Sequence, residues 1–95
     1  MSFLGRFRRN KPDPEVARRN LLKQQGRIGE ATILELTRDD DGKELLAYCY
    51  TIAGVDYETF QHLDDEQLTR KDQYLPGARV NLRYDPRRPA NSMVV

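Results

Sequence analysis

The sequence predicts a mainly β domain: a small, five-stranded, partly closed barrel of the OB-like or SH3-like kind, with a short N-terminal helix and a disordered basic arm. The 95 residues fit one domain, and 38% hydrophobic against 33% charged residues allows only a small core. Short β-rich runs alternate with turn signals, as in small barrels. One cysteine and no 18-residue apolar run exclude an internal disulfide and a transmembrane span.

Residues 1–12 are predicted to form a flexible basic arm. Apolar side chains lie there at helical i, i+1, i+4 spacing with arginines among them: Phe3, Leu4, Arg6, Phe7, Arg8 and Arg9. No long apolar run follows the arginines, so the segment lacks the pattern of a secretory signal. We expect a cytoplasmic location, at the inner face of the membrane if the arm contacts lipid.

A short helix is predicted over about residues 14–25. Asp13 is a good N-cap, Pro14 suits the first helical position, and Gly26 supplies a stop signal. The apolar stripe of this helix is thin, so the helix must dock on the domain that follows. The predicted division of the chain is an arm at 1–12, a helix at 13–26 and a β domain at 27–95.

Three strands are predicted after the helix. The first covers residues 28–37 and ends at a hairpin turn over 38–43. The second covers 45–53, and its alternate residues face one way: Leu46, Tyr48, Tyr50 and Ile52. A tight turn at 54–56 leads into a third strand over 57–62.

The rest of the chain predicts a connection and two more strands. Residues 63–75 are polar and fit a helical turn or a loop equally well. A turn at Pro76–Gly77 precedes a half-buried strand over 78–84, which places Arg79 and Arg83 on its outward face. The prolines of 85–89 end that strand because they cannot donate to a ladder, and residues 92–95 form a short closing strand.

The C-terminal motif resembles the signature of a bacterial family of domains of unknown function. The motif consists of a glycine, an alternating strand and two spaced prolines: Gly77, Val80, Leu82, Tyr84, Asp85, Pro86 and Pro89. The aromatic strand and hairpin over 48–57 and the opening strand over 29–33 are also similar to the family, so the resemblance covers roughly 27–95. It implies a small all-β domain, frequently attached to membrane helices in relatives, and it supplies no catalytic residues.

Catalytic, metal and cofactor sites are not predicted. His62 is the only histidine, and Cys49 lies in mid-strand, where a buried thiol is usually inert. The ligand set of a zinc site is missing, and the acidic run Asp39–Asp41 lacks the spacing of a calcium loop. We expect no enzyme activity.

Charge is strongly segregated along the chain. Residues 1–30 carry a net charge of +5, residues 31–75 of −7 and residues 76–95 of +3. This asymmetry fits contact with a polyanion or a membrane through the ends, or simple pairing of the basic ends with the acidic middle.

The predicted function is that of a non-catalytic interaction or accessory module with a protein partner, displaying a groove or a sheet edge. One alternative is weak contact with an anionic membrane surface through the arm. A second is single-stranded nucleic-acid binding by aromatic and arginine side chains of the barrel face. The oligomeric state stays open. The candidate binding residues are Phe3, Arg6, Phe7, Arg8 and Arg9 in the arm, and Arg79 and Arg83 on the sheet.

Overall fold

The computed structural model describes residues 13–95 and confirms the predicted fold class. Five antiparallel strands form one sheet in the order β3-β2-β1-β4-β5, and the sheet curls into a nearly closed barrel. The elements are α1 (Pro14–Gln25), β1 (Arg27–Arg38), β2 (Glu44–Ile52), β3 (Val55–His62), α2 (Asp65–Leu68), a 3₁₀ turn (Lys71–Gln73), β4 (Arg79–Asp85) and β5 (Arg88–Val94). The predicted arm lies outside the described residues.

Helix α1 begins and ends where its capping residues predict. The Asp13 carboxylate accepts a 2.8 Å hydrogen bond from the Glu15 N–H, and the Gly26 N–H donates to the Leu22 carbonyl at 2.7 Å. Leu22 is the one residue of this helix that is buried, and the helix lies against β4 and β5. Docking on the barrel therefore stabilises a helix whose own apolar stripe is narrow.

The long first strand is shared between two neighbours. Its N-terminal half, Arg27–Thr32, pairs with β4, and its C-terminal half, Thr32–Arg38, pairs with β2. A bulge between Ile33 and Glu35 shifts the register on the β2 side. Bulges bend a strand and increase its twist, which lets one strand serve both halves of a small barrel.

The inward faces of the strands form the core. The alternation predicted for β2 is found, because Leu46, Tyr48 and Tyr50 are buried. Leu82 and Tyr84 of β4 are buried as well. The full core cluster comprises Ala31, Ile33, Leu46, Tyr48, Tyr50, Leu63, Tyr74, Leu82, Tyr84 and Val94.

Side-chain amides close the seam between β3 and β5. The Gln61 amide on β3 accepts from the Val94 N–H at 2.8 Å and donates to the Val94 carbonyl at 3.0 Å, as a neighbouring strand would. Gln67 of α2 donates to the same carbonyl at 2.9 Å, and both glutamines are buried. The seam thus satisfies buried main-chain groups that have no ladder partner.

Helix α1 spans the same seam with two arginines. Arg18 donates to the Ser92 carbonyl of β5 at 2.8 Å, and Arg19 donates to the His62 carbonyl of β3 at 2.7 Å. Glu15 accepts from both guanidinium groups and holds them side by side. The Arg18 hydrogen bonds lower the pKa of Glu15 to about 2.

Two sequence predictions are wrong in their boundaries. The turn predicted at 54–56 is instead a two-residue turn at Ala53–Gly54, with φ of 52° and 81°, so β3 begins at Val55. The closing strand predicted at 92–95 begins at Arg88 and includes Pro89. Pro89 is tolerated because β5 is an edge strand and does not need every N–H for a ladder.

The segment over 63–75, for which the sequence left helix and loop open, contains both. Asp64 caps α2 in a capping box, since the Asp64 side chain accepts from the Gln67 N–H and the Gln67 side chain accepts from the Asp64 N–H. The chain then continues through the 3₁₀ turn to Pro76.

Replacing Gln61 tests the seam. Gln61→Leu removes two hydrogen bonds and leaves the buried Val94 N–H without its partner, so we expect a loss of about 2–3 kcal/mol in the free energy of unfolding. Urea denaturation gives the value. Gln24→Leu, at an exposed helix position, is the control and should stay within about 0.5 kcal/mol of the parent. Equal stability of the two variants would rule out this role of Gln61.

The β2–β3 turn offers a stabilising substitution. A two-residue turn of this kind requires positive φ at both central residues, which asparagine tolerates better than alanine. We expect Ala53→Asn to raise the free energy of unfolding by about 0.5–1 kcal/mol. Gly54→Ala should lower it, because it puts a Cβ at a φ of 81°. If the free energy of unfolding rises for both variants, or falls for both, the assignment of positive φ to these two turn residues is contradicted.

The ion pairs of Glu15 predict a pH dependence. The folded pKa of about 2 lies below the ordinary value of 4.5, so this stabilisation is complete above about pH 4.5 and is lost as the pH falls through 2. Glu15→Gln removes it. The Glu15 side chain is 48% exposed, so solvent screening limits the difference to about 1 kcal/mol. Urea titrations from pH 2.5 to 6 should show the two proteins converging in acid; a constant gap would contradict the mechanism.

Candidate binding groove

A groove opens where β1 and β2 separate. Their ladder stops at the pair Thr32–Cys49. Beyond it, β1 continues along β4 and β2 continues along β3. The space between them is an open groove of about 830 Å³. This volume lies within the range of about 300–1,000 Å³ typical of ligand sites.

Main-chain groups of both strands face this groove without ladder partners. The Ile33 N–H donates to the Ala78 carbonyl, and the Ile33 carbonyl accepts from the Gly77 N–H. The main-chain groups of odd-numbered β1 residues therefore point toward β4, and those of Glu30 point toward the groove. On β2, the Glu44 carbonyl accepts from the Leu63 N–H. The main-chain groups of even-numbered β2 residues therefore point toward β3, and those of Thr51 point toward the groove. Glu30 and Thr51 would form the next pair of the ladder.

The floor of the groove is aromatic. Tyr50, Tyr57 and Tyr84 line it, and the rings of Tyr50 and Tyr57 stack with their centroids 5.2 Å apart. Gly29 lets Tyr84 approach β1 closely, because a Cβ at this position would lie 3.2 Å from the Tyr84 Cε1 atom. Tyr50 and Tyr84 are buried, so the half-buried ring of Tyr57 is the part of the floor that an apolar or aromatic side chain can contact.

The rim of the groove is acidic. Glu30, Asp56 and Glu58 line it together with one cation, Arg79. The Arg79 guanidinium lies 3.6 Å from the Glu30 carboxylate, and both side chains are largely exposed. The Thr51 hydroxyl donates to the Asp56 carboxylate at 2.6 Å. Three carboxylates against one guanidinium favour a cationic ligand.

The single thiol of the chain also lies in the groove. Cys49 is half-buried on β2, opposite Thr32 of β1 and Glu58 of β3. Its place among the lining residues makes Cys49 a native reporter of whether the groove is occupied.

The structure separates the two arginines predicted on the sheet. Arg79 lines the groove. Arg83 is half-buried and donates to the Gly26 carbonyl at 3.0 Å, so it ties the end of α1 to β4. Phe3, Arg6, Phe7, Arg8 and Arg9 lie outside the described residues.

Most of the strand tyrosines, which the nucleic-acid alternative would use to stack bases, are core residues. Tyr48, Tyr50 and Tyr84 are buried, and burial raises the pKa of Tyr48 to about 12. The Tyr48 hydroxyl lies 2.8 Å from the Ser92 hydroxyl, which joins β2 to β5. Among the aromatic residues of 13–95, Phe60 of β3 has a strongly exposed side chain, with 65% of the residue surface accessible.

The three carboxylates of the rim were not predicted from the sequence. Glu30 on β1 is far along the chain from Asp56 and Glu58 on β3, and none of the three belongs to an acidic run. Asp56 and Glu58 share one face of β3 through their i, i+2 spacing, a signal that was present in the sequence.

Within residues 13–95, no three His, Cys, Asp or Glu side chains are grouped as a metal ion would require. The helices of the same range are all too short or too polar to cross a membrane.

Fold and groove together define a small, nearly closed β-barrel domain with a helix across its seam. The chain belongs to the family described as Domain of unknown function (DUF3592), whose model matches residues 24–95. This confirms the predicted membership in a family of domains of unknown function. Neither a curated protein nor a solved structure gives a significant match to this chain.

Proposed function

We propose that this protein is a non-catalytic interaction module that binds an extended, basic segment of a partner protein in the groove between β1 and β2. The observation that carries the proposal is the pair of facing strand edges at Glu30 and Thr51, which have lost their ladder partners to the separation of the strands. An extended peptide gains affinity from such an edge by adding a strand to the sheet.

Side chains in the groove support a ligand with alternating character. Successive residues of a strand point to opposite sides, so one set would meet the acidic rim and the other the aromatic floor. The rim residues Glu30 and Glu58 favour lysine or arginine at positions i and i+2. The half-buried ring of Tyr57 on the floor favours an apolar or aromatic residue between those two basic positions.

The same features give less support to the predicted alternatives. A nucleic-acid strand would bring phosphates toward Glu30, Asp56 and Glu58, and three carboxylates repel them. The rings of Tyr50 and Tyr84 have little surface free for stacking bases. The membrane alternative rests on the arm, outside the described residues, and stays a prediction.

A synthetic peptide tests the proposal directly. The full chain, labelled with ¹⁵N, is titrated with an acetylated peptide of sequence TVRFRVT, which alternates basic and apolar residues. A peptide of the same composition and broken alternation, TRRVFVT, is the control. We expect amide shifts at Glu30 and Thr51 and slower alkylation of Cys49 by iodoacetamide with the first peptide only. No shift at a saturating concentration, or equal binding of both peptides, contradicts the proposal.

Charge reversal at the rim sharpens the test. Glu30→Lys combined with Glu58→Lys should weaken binding of TVRFRVT at least tenfold, or about 1.4 kcal/mol, since two carboxylates that favour arginine become repulsive. Asp40→Lys with Asp41→Lys makes the same change of net charge at the exposed β1–β2 turn and should change the affinity much less. An equal loss for both double variants would mean that overall charge, and not the groove, holds the peptide.

A further inference from the structure

We propose that the groove also binds the N-terminal segment Arg6–Phe7–Arg8 of a second copy of this chain. The inference rests on the proposed function, because it names one segment with the chemistry that the groove favours. It makes the protein a self-associating module in which the arm of one copy occupies the groove of another when no other partner is bound.

The pattern of the segment matches the two sides of the groove. In an extended chain, Arg6 and Arg8 point to one side and Phe7 to the other. The two arginines then meet the carboxylates of Glu30 and Glu58 at the rim, and the ring of Phe7 meets the half-buried ring of Tyr57, which is stacked on Tyr50. Arginine binds carboxylates through two donors at once, and aromatic pairs gain from offset stacking.

Charge complementarity favours this occupant over other parts of the chain. Residues 1–12 contain four basic residues and no acidic one. The groove presents three carboxylates and one guanidinium. Opposite charge on the two surfaces accelerates their encounter and fixes their register.

The position of helix α1 favours a second copy over the same molecule. The arm enters the described structure at Asp13, where α1 spans the seam between β3 and β5. The groove lies between β2 and β1, near the opposite side of the sheet order. The five steps from Arg8 to Asp13 extend at most about 18 Å, which leaves little chain to pass around the barrel.

Reciprocal exchange between two copies meets no such limit. Each arm then fills the partner's groove, so both grooves are occupied in a closed pair. The geometry therefore points to a dimer whose two identical contacts each join an arm to a groove.

The experiment follows the rate of Cys49 alkylation by iodoacetamide, together with the mass in solution, for the full chain over a range of concentrations. At a total chain concentration of about ten times the dimer dissociation constant, mass action leaves roughly one chain in five monomeric with its groove free, so Cys49 should react about fivefold more slowly than in the dilute protein. The same range should convert monomer to dimer in sedimentation.

Charge-reversed variants identify the segment. Arg6→Glu with Arg8→Glu should keep Cys49 fully reactive and the protein monomeric at every concentration. Arg87→Glu with Arg88→Glu makes the same change of charge at two exposed residues, one in the β4–β5 turn and one at the start of β5, and should behave as the parent. Adding Glu30→Arg and Glu58→Arg to the arm variant should restore protection, because the ion pairs are rebuilt with their signs exchanged.

The outcomes separate this inference from the proposed function. A parent protein that stays monomeric, with Cys49 as reactive as in the arm variant, overturns self-association, while protection by TVRFRVT would leave the proposed function intact. If protection of Cys49 is lost in the arm variant but does not change on dilution, the arm occupies the groove of its own molecule. That result overturns the assignment to a second copy. If Cys49 is protected in the parent protein but the variant with all four charges exchanged does not regain this protection, the assigned ion pairs are wrong.

Discussion

The closure of the barrel depends on the amide of Gln61. Strands β3 and β5 share no ladder, and the Gln61 side chain replaces one by accepting from the N–H of Val94 and donating to its carbonyl. Gln67 binds the same carbonyl, and Arg18 and Arg19 extend from α1 to either side of the seam. Without these contacts, main-chain groups of an edge strand would be buried without partners, which costs more than most side-chain contacts return.

The groove is a consequence of the same arrangement. The twelve residues of β1 are divided between two neighbours in a sheet that curls until β3 approaches β5. The strand therefore pairs with β2 through one half and with β4 through the other, and the unpaired halves diverge. The gap between these halves has the acidic and aromatic lining on which the proposed binding of a basic strand rests.

Much of the fold could be predicted, because alternation within a single strand is local. The inward residues of β2 and β4 and the capping of α1 followed from spacing and residue type alone. Boundaries were less predictable: Ala53 occupies a left-handed conformation that glycine or asparagine usually takes, and Pro89 lies in a strand because that strand is at an edge. Of the candidate site, Arg79 was predicted to face outward, but its acidic neighbours were not connected to it.

The sequence by itself determined which segments contain strands, which faces are apolar, where the helix begins and that the acidic and basic charges lie in different segments. These properties depend on neighbours within a few positions of the chain. Only the tertiary structure decided that Gln61 is a buried bridge and that Glu30, Asp56, Glu58 and Arg79 surround one groove. The physical reason is that strand pairing between distant segments sets these relations, and a polar residue has the same appearance in a sequence whether it closes a seam or faces water.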